Sequence, residues 1–143
     1  MRHDLAVSGT IQVNADASKV WEALTNPAII KEYLFGAETV TDWKVGSEIA
    51  FQGEYNGTKY RDHGIILENI FHKKISYTYW SGFSGVEDKP ENYSIVTYTV
   101  KPAGNDVTEL GWAMKGYATE EGYNHSKNGM QQFLEQIKGI IER

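Results

Sequence analysis

Chemistry in this 143-residue sequence would fall first to its four histidines, nineteen Asp and Glu residues and nine tyrosines. It has no cysteine, hence no thiolate nucleophile, zinc–thiolate site or disulfide. Asp62 and His63 are an acid and a base side by side, but on a segment of two-residue period neighbours face opposite ways and form no dyad. Glu68 shares the parity of Ile66. A regular strand would therefore aim it inward, although a carboxylate at the rim is the simpler reading. His125 lies in a helical stretch and is read as solvated or packed rather than facing a groove. His3, His63, His72 and His125 are scattered without H-x-x-x-H spacing, so no metal site is expected. In Gly82-Phe-Ser-Gly85 the glycine falls one residue too early for the G-x-S-x-G elbow of hydrolases. No glycine loop ending in Lys-Ser or Lys-Thr is present to cradle phosphate. The sequence thus points to no catalytic residue and no cofactor.

The bulk composition removes further classes. The net charge is −5 and no stretch concentrates Lys and Arg, whereas binding along a nucleic-acid backbone needs such a footprint. The opening MRHDLAVSGTIQV has no uninterrupted apolar core of a signal peptide. No apolar run approaches the ~20 residues that span a bilayer. A soluble cytoplasmic protein is expected, without nucleic-acid partner or membrane span. Three Asn-x-Ser/Thr triplets at Asn56, Asn92 and Asn124 are then chance. The aromatic fraction of 13%, supplied mostly by tyrosine and tryptophan, suits a partly wet core, because these side chains join a large apolar body to a polar tip.

The elements that would position these residues follow from period and punctuation. Leu5, Val7, Gly9, Ile11 and Val13 alternate as a strand with one buried face. Asp16 or Ser18 caps a helix running to about Thr25. Pro27 opens a second short helix, where its missing N–H is harmless, and Gly36 stops it. The period then becomes two. Strands are predicted over Glu48–Tyr55, Lys59–Ile70, Lys74–Trp80, Tyr93–Val100 and Val107–Met114, with a hairpin at Asn56-Gly57. The loop Ser81–Asn92 is long enough for a lid, or a plain surface turn. Tyr123, Met130, Phe133, Leu134, Ile137, Ile140 and Ile141 keep the 3.6 period across Glu120 to about Glu142. That helix would be roughly 35 Å long at 1.5 Å per residue. It can bury its stripe only against the sheet, and a twisted sheet cannot touch it everywhere. The two short helices of Ala15–Gly36, turning a corner at Pro27, are the plug for the groove that remains.

Several pieces resemble a known family in order and spacing. They are Ile11-Gln-Val-Asn-Ala, Val20-Trp-Glu-Ala-Leu-Thr-Asn-Pro27, Lys31-Glu-Tyr33, Asp42-Trp-Lys-Val-Gly46, Gly64-Ile-Ile-Leu-Glu68, Ile75-Ser-Tyr-Thr-Tyr79 and Asn128-Gly-Met130 leading to Phe133-Leu134 and Ile137. Together they are similar to the START-like (SRPBCC) superfamily, and within it to the activator-of-heat-shock-protein-ATPase-homologue-like family. The resemblance covers nearly the whole chain and implies one START-like domain over 1–143. Its fold would be α+β, of the helix-grip type: a curved antiparallel sheet around a long C-terminal helix, with two short helices after the first strand. The chain departs from the family where Trp is usual, at Tyr33 and Met130, and where Pro is frequent, at Phe71 or His72. Met130 in place of Trp leaves a more adaptable surface on the long helix. In the eukaryotic activator, chaperone binding depends mainly on a separate N-terminal domain, which no segment here resembles, so activation is not carried across.

Family register and strand period together predict an inward set of Phe51, Ile66, Ile75, Tyr77, Tyr79, Val96, Tyr98, Leu110 and Trp112, joined by Tyr33, Phe35 and Met130 from the helical segments. Such a stripe can simply fill a core. Several buried phenols, however, need partners and fit a cavity holding water or a polar-edged ligand. The expected function is non-enzymatic binding of a small apolar or aromatic molecule, with Tyr33, Phe35, Phe51, Ile66, Tyr77, Tyr79, Tyr98, Trp112 and Met130 as contacts. Two alternatives stand beside it. One is an interaction module contacting a chaperone or a second copy of the chain through an exposed Trp43 or Trp80. The other is an enzyme like the superfamily's polyketide cyclases and dehydratases.

Overall fold

The alternating N-terminal segment forms the strand β1 (Arg2–Val13), and the computed structural model, which describes residues 1–143, continues it through two helices into a run of strands. The helices are α1 (Ala17–Thr25) and α2 (Pro27–Tyr33), and the strands are β2 (Glu38–Val40), β3 (Glu48–Tyr55), β4 (Thr58–Ile70), β5 (Lys74–Tyr79), β6 (Ser94–Gly104) and β7 (Val107–Tyr117). The helix α3 (Glu120–Glu142) ends the chain. The strands make one antiparallel sheet in the order β1-β7-β6-β5-β4-β3-β2. β2 is an edge strand that the sequence reading did not anticipate, since three residues carry no readable period.

Local chemistry makes the corner between α1 and α2. Asp16 caps α1 by accepting from the Lys19 amide at 2.9 Å. Asn26 ends α1 and also caps α2, accepting from the Ala28 amide at 3.0 Å with Pro27 in the first turn. The Tyr33 phenol donates to the Ala23 carbonyl at 2.8 Å and ties the two helices together. α1 packs on α3, β6 and β7, and α2 on α3 and β2, as expected of a plug. Trp21 is buried, its ring edge-on to Phe71 and His72.

Thr119 caps α3, accepting from the Gly122 amide at 3.0 Å, and Glu120 and Glu121 in the first turn complement the helix dipole. The helix buries Leu134, Ile137 and Ile141 and rests mainly on β1, with lesser contact to β7. These residues join Val13, Val20, Leu24, Ile49, Ile66, Ile75 and Leu110 in the core. Only one face of the sheet is covered, so Ile65 and Leu67 remain exposed on the other. No helix is long and apolar enough to cross a membrane.

Candidate functional site

Packing between the covered face of the sheet and the helices above it is uneven. Beside α1 and α2 it is tight. The space left among Leu24, Ile30, Tyr33, Leu34, Trp43, Ile49, Phe51, Ile75, Tyr77 and Tyr98 is about 10 Å³, barely enough for one water. Tyr33, Tyr77 and Tyr98 lie inside, and burial pushes all three phenols well above their usual range, Tyr33 and Tyr77 further by the nearby Tyr98. The Ala23 carbonyl serves the Tyr33 hydroxyl, so the expected need for a ligand partner is met there by a helix end.

Around this packed region, Tyr60, Tyr79, Trp112, Met114, Met130 and Phe133 pack against the core but stay partly exposed. Strand register sets the sheet side, where Val96 faces Tyr77 and Met114, Tyr98 faces Trp112, and Phe51 faces Asp62, while Met130 and Phe133 come from α3. Phe133 sets its edge 6.0 Å from both Tyr33 and Trp112. Phe51 lies 5.6 Å from Tyr77 and 6.1 Å from Tyr79 between ring centroids. Phe83 meets Tyr60 and Tyr55 at the far rim, at 5.7 and 6.1 Å.

Asp62 belongs to the sheet side. Only 7% of it is exposed, the Tyr79 phenol donates to its Oδ2 at 2.6 Å, and its buried Oδ1 has no partner. Burial, and after it the Asp62 carboxylate, push the Tyr79 phenol far above its ordinary range, so Tyr79 remains a donor. Asp62 shares the parity of Ile66, which was a readable signal that it faces inward, though it was not in the predicted contact set.

His63 faces the other way, as its parity requires. Its Nε2 lies 3.0 Å from Asp88 Oδ2, and its ring sits near Trp80 and Tyr93. The Tyr93 phenol also donates to Asp88, and burial leads the causes that push it up to about 12. Trp80 Nε1 donates to the Val86 carbonyl at 3.1 Å. The loop between β5 and β6 is therefore fastened to the outer face of the sheet.

Most of the predicted inward residues do face inward. Phe51, Ile66, Ile75, Tyr77, Val96, Tyr98, Leu110 and Tyr33 are buried, while Tyr79, Trp112 and Met130 are part-buried. Phe35 is the correction: it is 92% exposed and has φ of 54° just past the end of α2. The left-handed turn that stops the helix swings this side chain away from the groove. Glu68 faces outward and pairs with Lys74 at 3.1 Å, because the register shifts between Ile66 and Glu68 and flips the parity. His125 is exposed. Trp43 and Trp80 are part-buried; the aromatics most exposed to solvent are Phe35 and Phe71.

A curved antiparallel sheet gripping a long C-terminal helix, with a two-helix plug after the first strand, defines a helix-grip domain of the START-like class. The chain belongs to the family described as Activator of Hsp90 ATPase homolog 1-like protein, whose sequence profile matches residues 14–142. Among solved structures, the protein ChR145 from Cytophaga hutchinsonii is similar at 39% identity and a TM-score of 0.83, over 99% of this chain and 97% of that one. An HSP90 activator from Plasmodium falciparum shares the fold at 20% identity and a TM-score of 0.72, over 96% of each chain. The Aha1 dimer from Colwellia psychrerythraea does so at 16% identity and a TM-score of 0.72, again over 96% of each chain. Comparison with curated proteins finds no significant match.

Proposed function

We propose that residues 1–143 act as one domain that binds a small apolar or aromatic molecule, without catalysing a reaction on it, between the sheet and α3 where the covered face is not packed shut. The observation carrying this reading is the set of part-exposed apolar side chains between sheet and helix, Tyr79, Trp112 and Met114 from the strands and Met130 and Phe133 from α3. Aromatic and thioether groups there remain in contact with water although a helix lies above the same face. Covering about 200 Å² of such surface contributes roughly 5 kcal/mol before the costs of ordering the ligand. Tyr33, Phe51, Ile66, Tyr77 and Tyr98 form the packed floor behind the contacts, and Phe35 takes no part.

The test is a fluorescence titration with the neutral dye N-phenyl-1-naphthylamine. One saturable site is expected in the parent chain. Met130→Trp, which adds an indole on the α3 side of the same site, should weaken that site about tenfold or more while the unfolding midpoint stays within a few degrees. Absence of saturable binding by the parent overturns the reading.

A second reading is supported by Phe35 and Phe71, which are 92% and 71% exposed. Side chains this apolar suit a protein partner, such as a chaperone or a second copy of the chain. Sedimentation of the chain alone and mixed with an Hsp90 tests it. A complex weakened by both Phe35→Ser and Phe71→Ser supports this reading, and a monomer that binds no Hsp90 removes it.

A further inference from the structure

The aromatic wall contains one group that apolar binding does not use. Asp62 is more than nine-tenths buried, receives a single hydrogen bond, from Tyr79 at 2.6 Å, and leaves Oδ1 bare. None of the ion pairs of the chain includes it. A buried carboxylate normally gathers several donors or a cation, because each unmet lone pair carries a desolvation penalty. If Asp62 served only to hold Tyr79, an Asn or Ser would accept the same phenol proton without burying a charge. Its surroundings are aromatic: Phe51 stands opposite in register, Tyr79 bonds to it, and Tyr60 lies two residues away on the same face.

We propose that Asp62 is the polar anchor of the groove and that the ligand has an apolar or aromatic body ending in an ammonium group, which donates to Oδ1. This rests on the groove reading above and names the ligand class for it. An ammonium supplies both the missing donor and the missing countercharge, whereas a hydroxyl supplies only the first. The negative faces of the neighbouring rings favour a cation in the same place. Oδ1 is sealed from solvent, so an ammonium reaches it only when a neighbouring ring such as Tyr60 moves aside; Tyr60 itself packs on the mostly exposed Phe83.

The experiment is competition against N-phenyl-1-naphthylamine on the full chain, using 2-(naphthalen-2-yl)ethylamine and its hydroxyl counterpart 2-(naphthalen-2-yl)ethanol. The amine should bind at least about tenfold more tightly than the alcohol, as a charge-assisted hydrogen bond requires. Asp62→Asn should bring the affinities for amine and alcohol together. Should that variant not fold, Tyr79→Phe serves instead: with both carboxylate oxygens bare, its preference for the amine should exceed that of the parent. Dye binding with equal affinity for amine and alcohol overturns the Asp62 assignment and leaves the groove standing. So does a preference that survives Asp62→Asn. No dye binding by the parent removes the groove, and the anchor with it.

Discussion

Met130 lies directly on Gly9. A β-carbon on residue 9 would stand 2.1 Å from the Met130 sulfur and 2.5 Å from its terminal methyl, so the end of the Met130 side chain occupies the space over β1 that the missing β-carbon leaves. Gly9→Ala should destabilise the fold by roughly 1–3 kcal/mol through overpacking. Because the obstacle is the end of a flexible side chain, Gly9→Ala with Met130→Ala should lose less than the sum of the two single changes. Urea denaturation of the three variants measures this, and strict additivity would show that the two residues do not compete for that space.

Trp21 supplies the plug with its largest buried surface. Trp21→Ala removes a buried ring of α1 that packs edge-on against Phe71 and His72 and should destabilise by about 3–5 kcal/mol. A loss under about 1 kcal/mol in the same measurement would mean that α1 lies outside the cooperative core.

Two glycines weaken α3 without a packing reason. Nothing lies within 4 Å of where a β-carbon would sit on Gly129 or Gly139, and both are exposed in the helix interior. Ala at either position should stabilise by about 0.5–1 kcal/mol. The readout is a higher unfolding midpoint, and a lower one for either variant contradicts the prediction.

Alkaline pH should separate the buried phenols from the rest. Tyr33, Tyr77, Tyr79 and Tyr98 are held above the ordinary value of 10.0, first by burial. A raised folded-state pKa means that the native protein holds the proton more tightly than the unfolded chain does. The stability this contributes is complete below pH 10 and is lost as pH climbs above it. Absorbance at 295 nm should therefore show these four ionising only together with loss of the circular dichroism signal. Ionisation of all nine tyrosines in the folded state would refute the packed region of the groove.

Acid should act through different groups. Asp16 is held below its ordinary 3.8 first by the Lys19 amide, and Glu142 below its ordinary 4.5 first by the Asn14 amide. Depressed carboxylates contribute stability above their unfolded pKa values and lose it as pH falls through the folded ones. The urea midpoint should stay flat above about pH 5 and drop below pH 4, with Asp16→Asn flattening part of that drop. An unchanged slope in the variant would count against the cap.

Local rules reached far in this chain because they act between near neighbours. The alternation of β1, the turn at Asn56-Gly57, the Asp16 cap, Pro27 opening α2 and the stripe of α3 each depend on a few adjacent residues, and the structure reproduces them. The same alternation assigned Ile66, Tyr77 and Tyr98 to the covered face. It failed at Glu68, where one extra residue in the pairing reversed the side; the inward reading of Phe35, taken from the helical segment, failed because a left-handed backbone turned the ring outward. Neither event leaves a periodic trace. How full the groove is lay further out of reach, because the free volume depends on α1, α2, β3, β5 and β6 side chains meeting from distant parts of the chain. Asp62 divides the same way. Its parity put it on the inner face, but the bare oxygen, the Tyr79 bond and the enclosing rings exist only once β3, β4 and β5 lie side by side. Direction along a strand is a local property, whereas burial and hydrogen-bond satisfaction belong to the assembled sheet.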